Sequence, residues 1–503
     1  MSKFLKIASI SSQVAPYSKT GGLGDVARSL PKAFKKIGHQ SIVITPFYEQ
    51  IIEANKYKLR KIAEGVELDI DKNSKEHVDF WESSLDKSVK VYFISNKKFF
   101  SKHKYIYGSN HENARFLLFD LASIELLRFL NYSPDIIQCH DWHTGLVPYF
   151  IQKRYKDDVL FKNSLLVYTI HILTFQFGKN WWELPLEHKD YGRNGIPEFD
   201  NPSLEYVNFA KRGILNADII TTVSEQYASE ILTKKFGEDL HRILINRKNN
   251  LYGIINGIDY DDYNPATDPG LLKNYGIESI DKKFENKLFL QKKFNLPQNN
   301  EIPLISMVTR ITEQKGFDLL FEIIDPMMRM DIQLVIMGGG DKRYEAEIRK
   351  ICKKYPEKVS AHLEFDPVQS TQVYAGSDMI IMPSRFEPCG LNQMISIRYG
   401  SIPVVHSIGG LADTITDFNP RTFRGNGYAF REYNSQDFLM AITRAVETYK
   451  HKEIWRRLLL KAMEQSFSWE LPARKYIKLF RKALWEKEEK KLEISTSVGK
   501  QGN

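Results

Sequence analysis

Short, mostly apolar runs alternate with longer amphipathic stretches along nearly the whole chain. Residues 4–10, 41–45, 134–139, 165–170 and 217–223 have the density of apolar positions expected of strands buried on both faces of a parallel sheet. Helical patterns separate them, one from Val26 to about Ile37 and a stronger one over residues 113–130. Residues 60–100 differ. There polar and apolar positions alternate, as in Val66-Glu67-Leu68-Asp69-Ile70, and predict a peripheral antiparallel insertion. The segment Gly253-Ile254-Ile255-Asn256-Gly257 closes this half, and the rhythm then restarts with strands predicted at 303–308, 333–337, 359–365, 379–382 and 402–405. Two successive βα runs of similar length predict an α/β chain of two doubly wound domains facing each other across a cleft. The expected boundaries are 1–256 and 257–455, with helices at 456–485 crossing back to the N-terminal domain and a disordered tail at 486–503.

The ends of these strands collect the chemistry. The first opens into Lys19-Thr20-Gly21-Gly22-Leu23-Gly24-Asp25-Val26, a Gly-rich loop entering a helix. Unpaired amides and the helix dipole suit such a loop to a phosphate or a sugar hydroxyl, and Lys19 adds a mobile charge. Its G-G-x-G spacing departs from the dinucleotide fingerprint, which weakens a nicotinamide reading. The strand at 134–139 ends in His140-Asp141-Trp142-His143 and the next ends at His171. In the second half, Arg310 and Gln314-Lys315-Gly316 follow one strand, and Gly409-Gly410 follow the strand at 402–405. The stretch Ser384-Arg385-Phe386-Glu387-Pro388-Cys389-Gly390-Leu391-Asn392-Gln393 joins a buried strand to a helix start, where α/β folds place ligands. Glu387 is its one carboxylate, and Gly390 allows close backbone approach. Cations on both halves suit a pyrophosphate; carboxylates, His and Asn256 suit sugar hydroxyls.

Composition narrows the partners. The net charge of +9 is spread along predicted helices and no nucleic-acid motif accompanies it, so no nucleic-acid partner is expected. The three cysteines, Cys139, Cys352 and Cys389, form no C-x-x-C pair, which argues for a reducing compartment and against a zinc site. The first ten residues are too short and interrupted for a signal peptide, and no run is long and apolar enough for a membrane span. A cytoplasmic protein without membrane association is expected, or a plastid one only if a transit peptide is missing from this chain. His140 and His143 have ligand-like spacing without further ligands in sequence, and two D-x-D matches, Asp69-Ile70-Asp71 and Asp259-Tyr260-Asp261, read as solvated turns. No metal is expected.

Taken together and in order, the blocks from Lys19 to Val26, from His140 to His143, Asn256-Gly257-Ile258-Asp259, Arg310 with Gln314-Lys315-Gly316, and residues 384–391 resemble the bacterial glycogen synthase and plant starch synthase family. The resemblance covers the chain from the first loop to about residue 415. It implies a GT-B fold of two Rossmann-like domains, the first on the acceptor (glucan) side and the second on the nucleotide-sugar side. It further implies retaining transfer of glucose from a nucleotide sugar, ADP-glucose favoured over UDP-glucose, to the 4-OH at an α-glucan's non-reducing end, with no cofactor. By position, Arg310 and Lys315 would neutralise the diphosphate and Glu387 would hold the donor glucose beside the amides of Cys389, Gly390 and Leu391. His171 would approach the sugar near its 6-OH, Asp141 and Trp142 would sit toward sugar and acceptor, and Lys19, with Gly21, Gly22 and Asp25, would lie near the distal phosphate. Phe365 falls where the family often stacks a Tyr on adenine, and Asn256, Gly409 and Gly410 complete the set.

Two departures stand out. After His171 the family usually has Asn and then Tyr-Gln-Gly; here the sequence is Ile172-Leu173-Thr174-Phe175-Gln176-Phe177. The family's Thr-Gly-Gly is Ile408-Gly409-Gly410. Ile395 stands where other GT-B families with an E-x7-E motif would need a second acid, which favours the glucan synthases over them. The two departures keep two further readings open at this point: a catalytically weakened glucan- or nucleotide-sugar-binding protein, and a related glucosyltransferase with a small acceptor.

Overall fold

The computed structural model describes residues 4–364 and 366–499, and the counts below refer to those. They form two compact units: one comprises the chain up to Asn256 together with the segment from Trp469 onward, the other Gly257–Ser468.

The first unit is built on nine strands: β1 Lys6–Ile10, β2 Gln40–Pro46, β3 Arg60–Asp69, β4 Lys75–Leu85, β5 Val89–Ser95, β6 Ile136–His140, β7 Leu165–Ile170, β8 Ile219–Thr222 and β9 Leu251–Gly253. Their order is β3-β4-β5-β2-β1-β6-β7-β8-β9, so the winding direction reverses between β1 and β6. Side chains alternate between two cores, as a pleated strand requires. Ile7, Ile136, Leu165, Val167 and Ile219 face one core; Ala8, Ile137, Leu166, Tyr168 and Ile220 face the other. The insertion at 60–100 is less peripheral than its alternation predicted. The β3–β4 hairpin does form an antiparallel edge, but β5 pairs in parallel with β2 from Ile42↔Lys90 to Pro46↔Ile94 and is a full member of the sheet. Val89, Val91, Phe93 and Ile94 are buried, whereas Lys90 between them is exposed and Tyr92 half-buried.

Helix Gly22–Lys36 starts one turn earlier than its apolar pattern indicated, taking the loop glycines into its first turn. Its face of Val26, Leu30, Ala33 and Phe34 packs with a C-terminal helix, Glu470–Gly499, through Ala473, Tyr476, Ile477 and Phe480. Phe34 meets Tyr476 edge-on at 6.2 Å between ring centroids. Helix Lys452–Met463 stays in the second unit, so the chain returns at Trp469 rather than at 456. The expectation of disorder from Glu486 is corrected as well, because helix continues through Gly499; residues 500–503 lie outside the described residues. The Glu- and Lys-rich composition that reads as a solvated tail also favours helix, and two lysines fasten it. Lys487 Nζ donates to Ser164 O at 2.7 Å and Asp218 Oδ2 at 2.6 Å, and Lys491 Nζ donates to Lys162 O at 2.9 Å.

The second unit carries six parallel strands: β10 Leu304–Val308, β11 Gln333–Met337, β12 Val359–His362, β13 Met379–Met382, β14 Ile402–His406 and β15 Tyr428–Phe430. Their order is β12-β11-β10-β13-β14-β15, which reverses between β10 and β13. These two strands pair only at Ile305↔Met379 and Ser306↔Ile380 and then part. Asn392 Nδ2 fills the gap by donating to Val308 O at 2.6 Å. Strand β12 ends at His362, short of the predicted 365, and Phe365 lies outside the described residues. Among the described residues, no helix is long and apolar enough to cross a membrane.

Candidate active site

In each sheet the strand order reverses at one point, and parallel α/β sheets bind ligands beyond the carboxyl ends of the strands there. Most of the residues singled out by sequence follow the strands at those two points; His171 follows β7, Asn256 follows β9 and Gly409-Gly410 follow β14.

In the first unit, β6 delivers His140 and Asp141 and β7 delivers His171. The two imidazoles bond directly, His140 Nδ1 to His171 Nε2 at 2.9 Å, and His140 Nε2 lies 3.0 Å from Ser9 Oγ on β1. Burial pushes His140 well below the usual imidazole range, aided by the neighbouring His171, and pushes His171 down to about 3. Both rings are therefore neutral at physiological pH. Asp141 holds φ +58°, ψ −178°, a backbone region that side chains other than glycine's strain to occupy. In that geometry its Oδ1 accepts the amides of His171 at 2.7 Å and Ile172 at 3.4 Å. Desolvation outweighs those hydrogen bonds and raises the carboxyl to about 7. Trp142 is 5% exposed, stacked on His143 at 4.1 Å and edge-on to Phe116 at 5.2 Å. It thus shapes the turn and presents no exposed stacking face. His143 is sandwiched between Trp142 and Tyr107, and its Nδ1 is buried without a hydrogen-bond partner.

The Gly-rich loop sits beyond β1. Lys19 Nζ pairs with Asp25 at 2.8 Å, both partly exposed. Gly21 is the extended N-cap and Gly22 the first helical residue. Sequence reading missed what holds this loop. Gln13 Oε1 accepts Thr20 N at 2.7 Å, and Gln13 Nε2 donates to Tyr107 OH at 2.7 Å. No spacing rule connects Tyr107 to Gln13, 94 positions earlier, so the contact has no local signal. Asn256, the last residue of the unit's first segment, is 5% exposed with its Oδ1 buried and without a partner.

In the second unit, Lys315 follows β10 and Glu387 follows β13. Lys315 Nζ lies 2.5 Å from Glu387 Oε2, with 13% and 9% of the two side chains exposed. Ser384 Oγ donates to the same oxygen at 2.9 Å. The two loops are stitched by backbone as well, since Arg385 N donates to Gln314 O at 2.8 Å and Gln314 Nε2 donates to Phe386 O at 3.1 Å. Gly316, at φ +76°, lies so close to Pro383 O that a Cβ there would come within 1.9 Å. A third loop joins them. Gly410 N donates to Glu387 O at 3.0 Å, and a Cβ on Gly409 (φ +47°) would stand 2.0 Å from that carbonyl. His406 Nδ1 donates to Ser384 O at 2.7 Å, a brace the sequence did not disclose. Arg310 is exposed and has no hydrogen-bond or ion-pair partner among the described residues, and the amides of Gly390 and Leu391 are likewise unpartnered. Cys389 is buried, with its carbonyl against Gly410.

The altered loop after His171 is firmly packed. Leu173 and Phe177 are buried in the larger core, Leu173 N donates to Tyr227 OH at 3.2 Å, and Gln176 bonds Glu238 O and Asn208 Nδ2. Among the described residues, no group of three or more His, Cys, Asp or Glu converges as a metal site.

A pair of doubly wound units, each with its polar groups at the point of strand reversal, defines a GT-B glycosyltransferase. The starch synthase catalytic domain family matches residues 6–246, and glycosyl transferases group 1 matches residues 289–457. The chain is 42% identical to the glycogen synthase of Thermosipho africanus over 95% of its own length and 99% of that relative's, and 41% identical to that of Pseudothermotoga lettingae over 96% and 100%. It belongs to the glycogen synthase family. Among solved structures, the catalytic domain of starch synthase IV from Arabidopsis thaliana, bound to ADP and acarbose, matches with a TM-score of 0.84 at 33% identity, covering 95% of this chain and 99% of that one. A sucrose-phosphate synthase from Thermosynechococcus elongatus, at TM-score 0.61 and 16% identity over 95% and 98%, shares the fold.

Proposed function

We infer that this member of the glycogen and starch synthase family transfers glucose from ADP-glucose, with retention at the anomeric carbon, to the 4-OH at the non-reducing end of an α-1,4-glucan. The observation that carries the reading is the Lys315–Glu387 pair at the strand reversal of the second unit, with the unpartnered Arg310 on the same segment after β10. Two cations there match a diphosphate, whose growing charge as the leaving group is the largest electrostatic demand of the reaction. The carboxylate beside them, with the free amides of Gly390 and Leu391, matches sugar hydroxyls. The neighbour bound to ADP and acarbose, a nucleoside diphosphate and a saccharide, supports the same assignment.

In this reading Arg310 and Lys315 hold the diphosphate, Glu387 orients the glucose, and Gly409 and Gly410 bring backbone close to the phosphates. From the first unit, neutral His171 and the desolvated Asp141 serve the sugar, and Lys19 serves the distal phosphate. The C1–O bond to the diphosphate breaks as the acceptor's O4 bonds to C1 on the same face. The departing phosphate oxygen takes the O4 proton, so no covalent enzyme intermediate and no metal is invoked.

The test is incorporation of labelled glucose from ADP-glucose into glycogen, with EDTA present and Glu387→Ala as control. Incorporation that survives EDTA and collapses in the variant is expected. Donor binding without incorporation would instead favour the binding-protein reading, and transfer to maltose but not glycogen a small-acceptor enzyme. A glucosyl adduct trapped on Glu387 or Asp141 would overturn the mechanism.

A further inference from the structure

The two buried histidines of the first unit form a hydrogen-bonded line that ends on a third residue with no assigned role. Ser9 Oγ, His140 and His171 lie in sequence across three adjacent parallel strands, with heavy-atom distances of 3.0 and 2.9 Å. Ser9 is 1% and His140 0% exposed, whereas His171 is half-buried, and its Nδ1 is not among the fully buried atoms that lack a partner, so it reaches the surface. Among the described residues, Ser9 Oγ has no hydrogen-bond partner but His140, and His171 Nδ1 has none.

Two neutral imidazoles share one proton across their facing nitrogens, so the line runs in one of two directions. In one, Ser9 O–H donates to His140 Nε2, His140 Nδ1–H donates to His171 Nε2, and His171 carries its own proton on Nδ1. In the other, every bond reverses: His140 donates to Ser9 Oγ, and the Ser9 hydroxyl proton is left buried without an acceptor. A buried unsatisfied donor is costly, while a spare hydroxyl lone pair is not. The first direction is therefore favoured.

We propose that Ser9 and His140 are positioning residues that fix His171 in its Nδ1–H tautomer, so that its open edge presents a hydrogen-bond donor to a substrate oxygen. The ligand it selects is a sugar hydroxyl or ether oxygen acting as acceptor, and this part rests on the assignment of His171 to the donor sugar above. The second partner of a histidine commonly decides its tautomer. Here that partner is itself a histidine, and the choice is made two residues away, on a strand that never reaches the open edge.

Nitrogen-15 spectra of the full-length, ligand-free chain labelled at histidine, with His171 assigned by its loss in His171→Gln, read the tautomer directly and need no functional assay. A protonated Nδ1 and an unprotonated Nε2 are expected for His171. In Ser9→Ala a second population with the proton on Nε2 should appear, and Ser9→Thr, which keeps the hydroxyl, should restore the single form. The turnover readout is kcat/KM with ADP-glucose, expected to fall about tenfold in Ser9→Ala, the worth of one well-placed hydrogen bond, and to recover in Ser9→Thr. A proton on Nε2 in the wild-type chain, or a tautomer indifferent to Ser9→Ala, overturns the proposal. The expected tautomers with full activity in His171→Gln leave the relay standing but remove the assignment of His171 to the sugar.

Discussion

The two strand reversals are the same architectural feature with opposite electrostatics. At β1/β6 the bridging groups are a hydroxyl and two imidazoles that burial keeps neutral, and the adjacent carboxyl is itself raised to about 7. At β10/β13 the bridge is a full ion pair, Lys315 to Glu387, and Arg310, on the same segment after β10, has no partner among the described residues. On the proposed reading, charge concentrates where a diphosphate would be neutralised, and uncharged hydrogen-bonding groups gather where hydroxyls would be met. A buried charge is tolerable only with a partner; the ion pair supplies that partner before substrate arrives, and the neutral site has no need of one.

Removing the cations of the second unit tests this contrast most severely. Arg310→Ala should cost roughly 3–4 kcal/mol of barrier, a 10²–10³-fold loss of kcat, while leaving the unfolding midpoint unchanged, because this exposed side chain has no partner to lose. Lys315→Ala should lose comparable activity and also stability, roughly 3–5 kcal/mol, because Glu387 is left buried without its cation. Adding Glu387→Gln to Lys315→Ala should restore much of the stability and none of the activity. Urea unfolding and steady-state kinetics on the same preparations decide it; equal midpoints for Lys315→Ala and Arg310→Ala would mean the pair contributes nothing to the fold.

The neutral site is tested by pH. Asp141 binds its proton more tightly in the folded chain than in the unfolded one, whose value is the ordinary 3.8. Its contribution to stability is full below about pH 4 and is lost as pH rises toward 7. His171, pushed down to about 3, works the other way: its contribution is full above its ordinary 6.5 and is lost as pH falls toward 3. Asp141→Asn keeps an oxygen for the two amides and removes only the ionisation. Relative to wild type it should gain roughly 2–3 kcal/mol of stability between pH 5 and pH 8. Urea midpoints that shift equally at both pH values would show that Asp141 is not desolvated as its surroundings require.

The third prediction concerns the stitching between loops. Gly409→Ala places a Cβ against Glu387 O, at a φ that L side chains rarely adopt. Both strains push the loop after β14 off the one that carries Glu387. About 1–3 kcal/mol of stability should be lost, together with donor affinity, measured as a raised KM for ADP-glucose at little-changed KM for glycogen. An unchanged donor KM would detach Gly409 from the nucleotide side.

What was legible in the sequence follows the same division. Strand ends, Gly-rich loops and the residues at each reversal could be read because parallel strands announce themselves as apolar runs and the chemistry sits immediately after them. The ion pair could not be read, since Lys315 and Glu387 are adjacent only after β10 and β13 pair. Ser9, Gln13, Tyr107 and His406 were passed over for the same reason: each holds a site residue from a different strand or loop, and each looks like ordinary strand or loop filler locally. Strand β5 was misplaced because one flank faces an exposed hairpin, which gives a fully integrated strand an edge-like alternation. The C-terminal helix was cut short because a Lys/Glu-rich composition does not say whether its lysines will find carbonyls such as Ser164 O to bond.

The smallest expected effect concerns the one departure that lies inside the neutral site. Ile172 stands where the family usually has Asn, and its amide already shares Asp141 Oδ1 with His171. The side chain offers no hydrogen bond, so on the proposed reading the group facing the sugar is one donor poorer. Ile172→Asn should recover about 1 kcal/mol, a roughly fivefold gain in kcat/KM for ADP-glucose, the net worth of a single neutral hydrogen bond. The loop itself should not move, because its anchors are Leu173 and Gln176 rather than residue 172. If the gain appears in kcat at constant KM, the restored bond acts only in the transition state; if it appears in KM alone, it binds the ground state equally. No gain in either would mean that this site has compensated for the lost Asn elsewhere, and the donor edge of His171 is the first place to look.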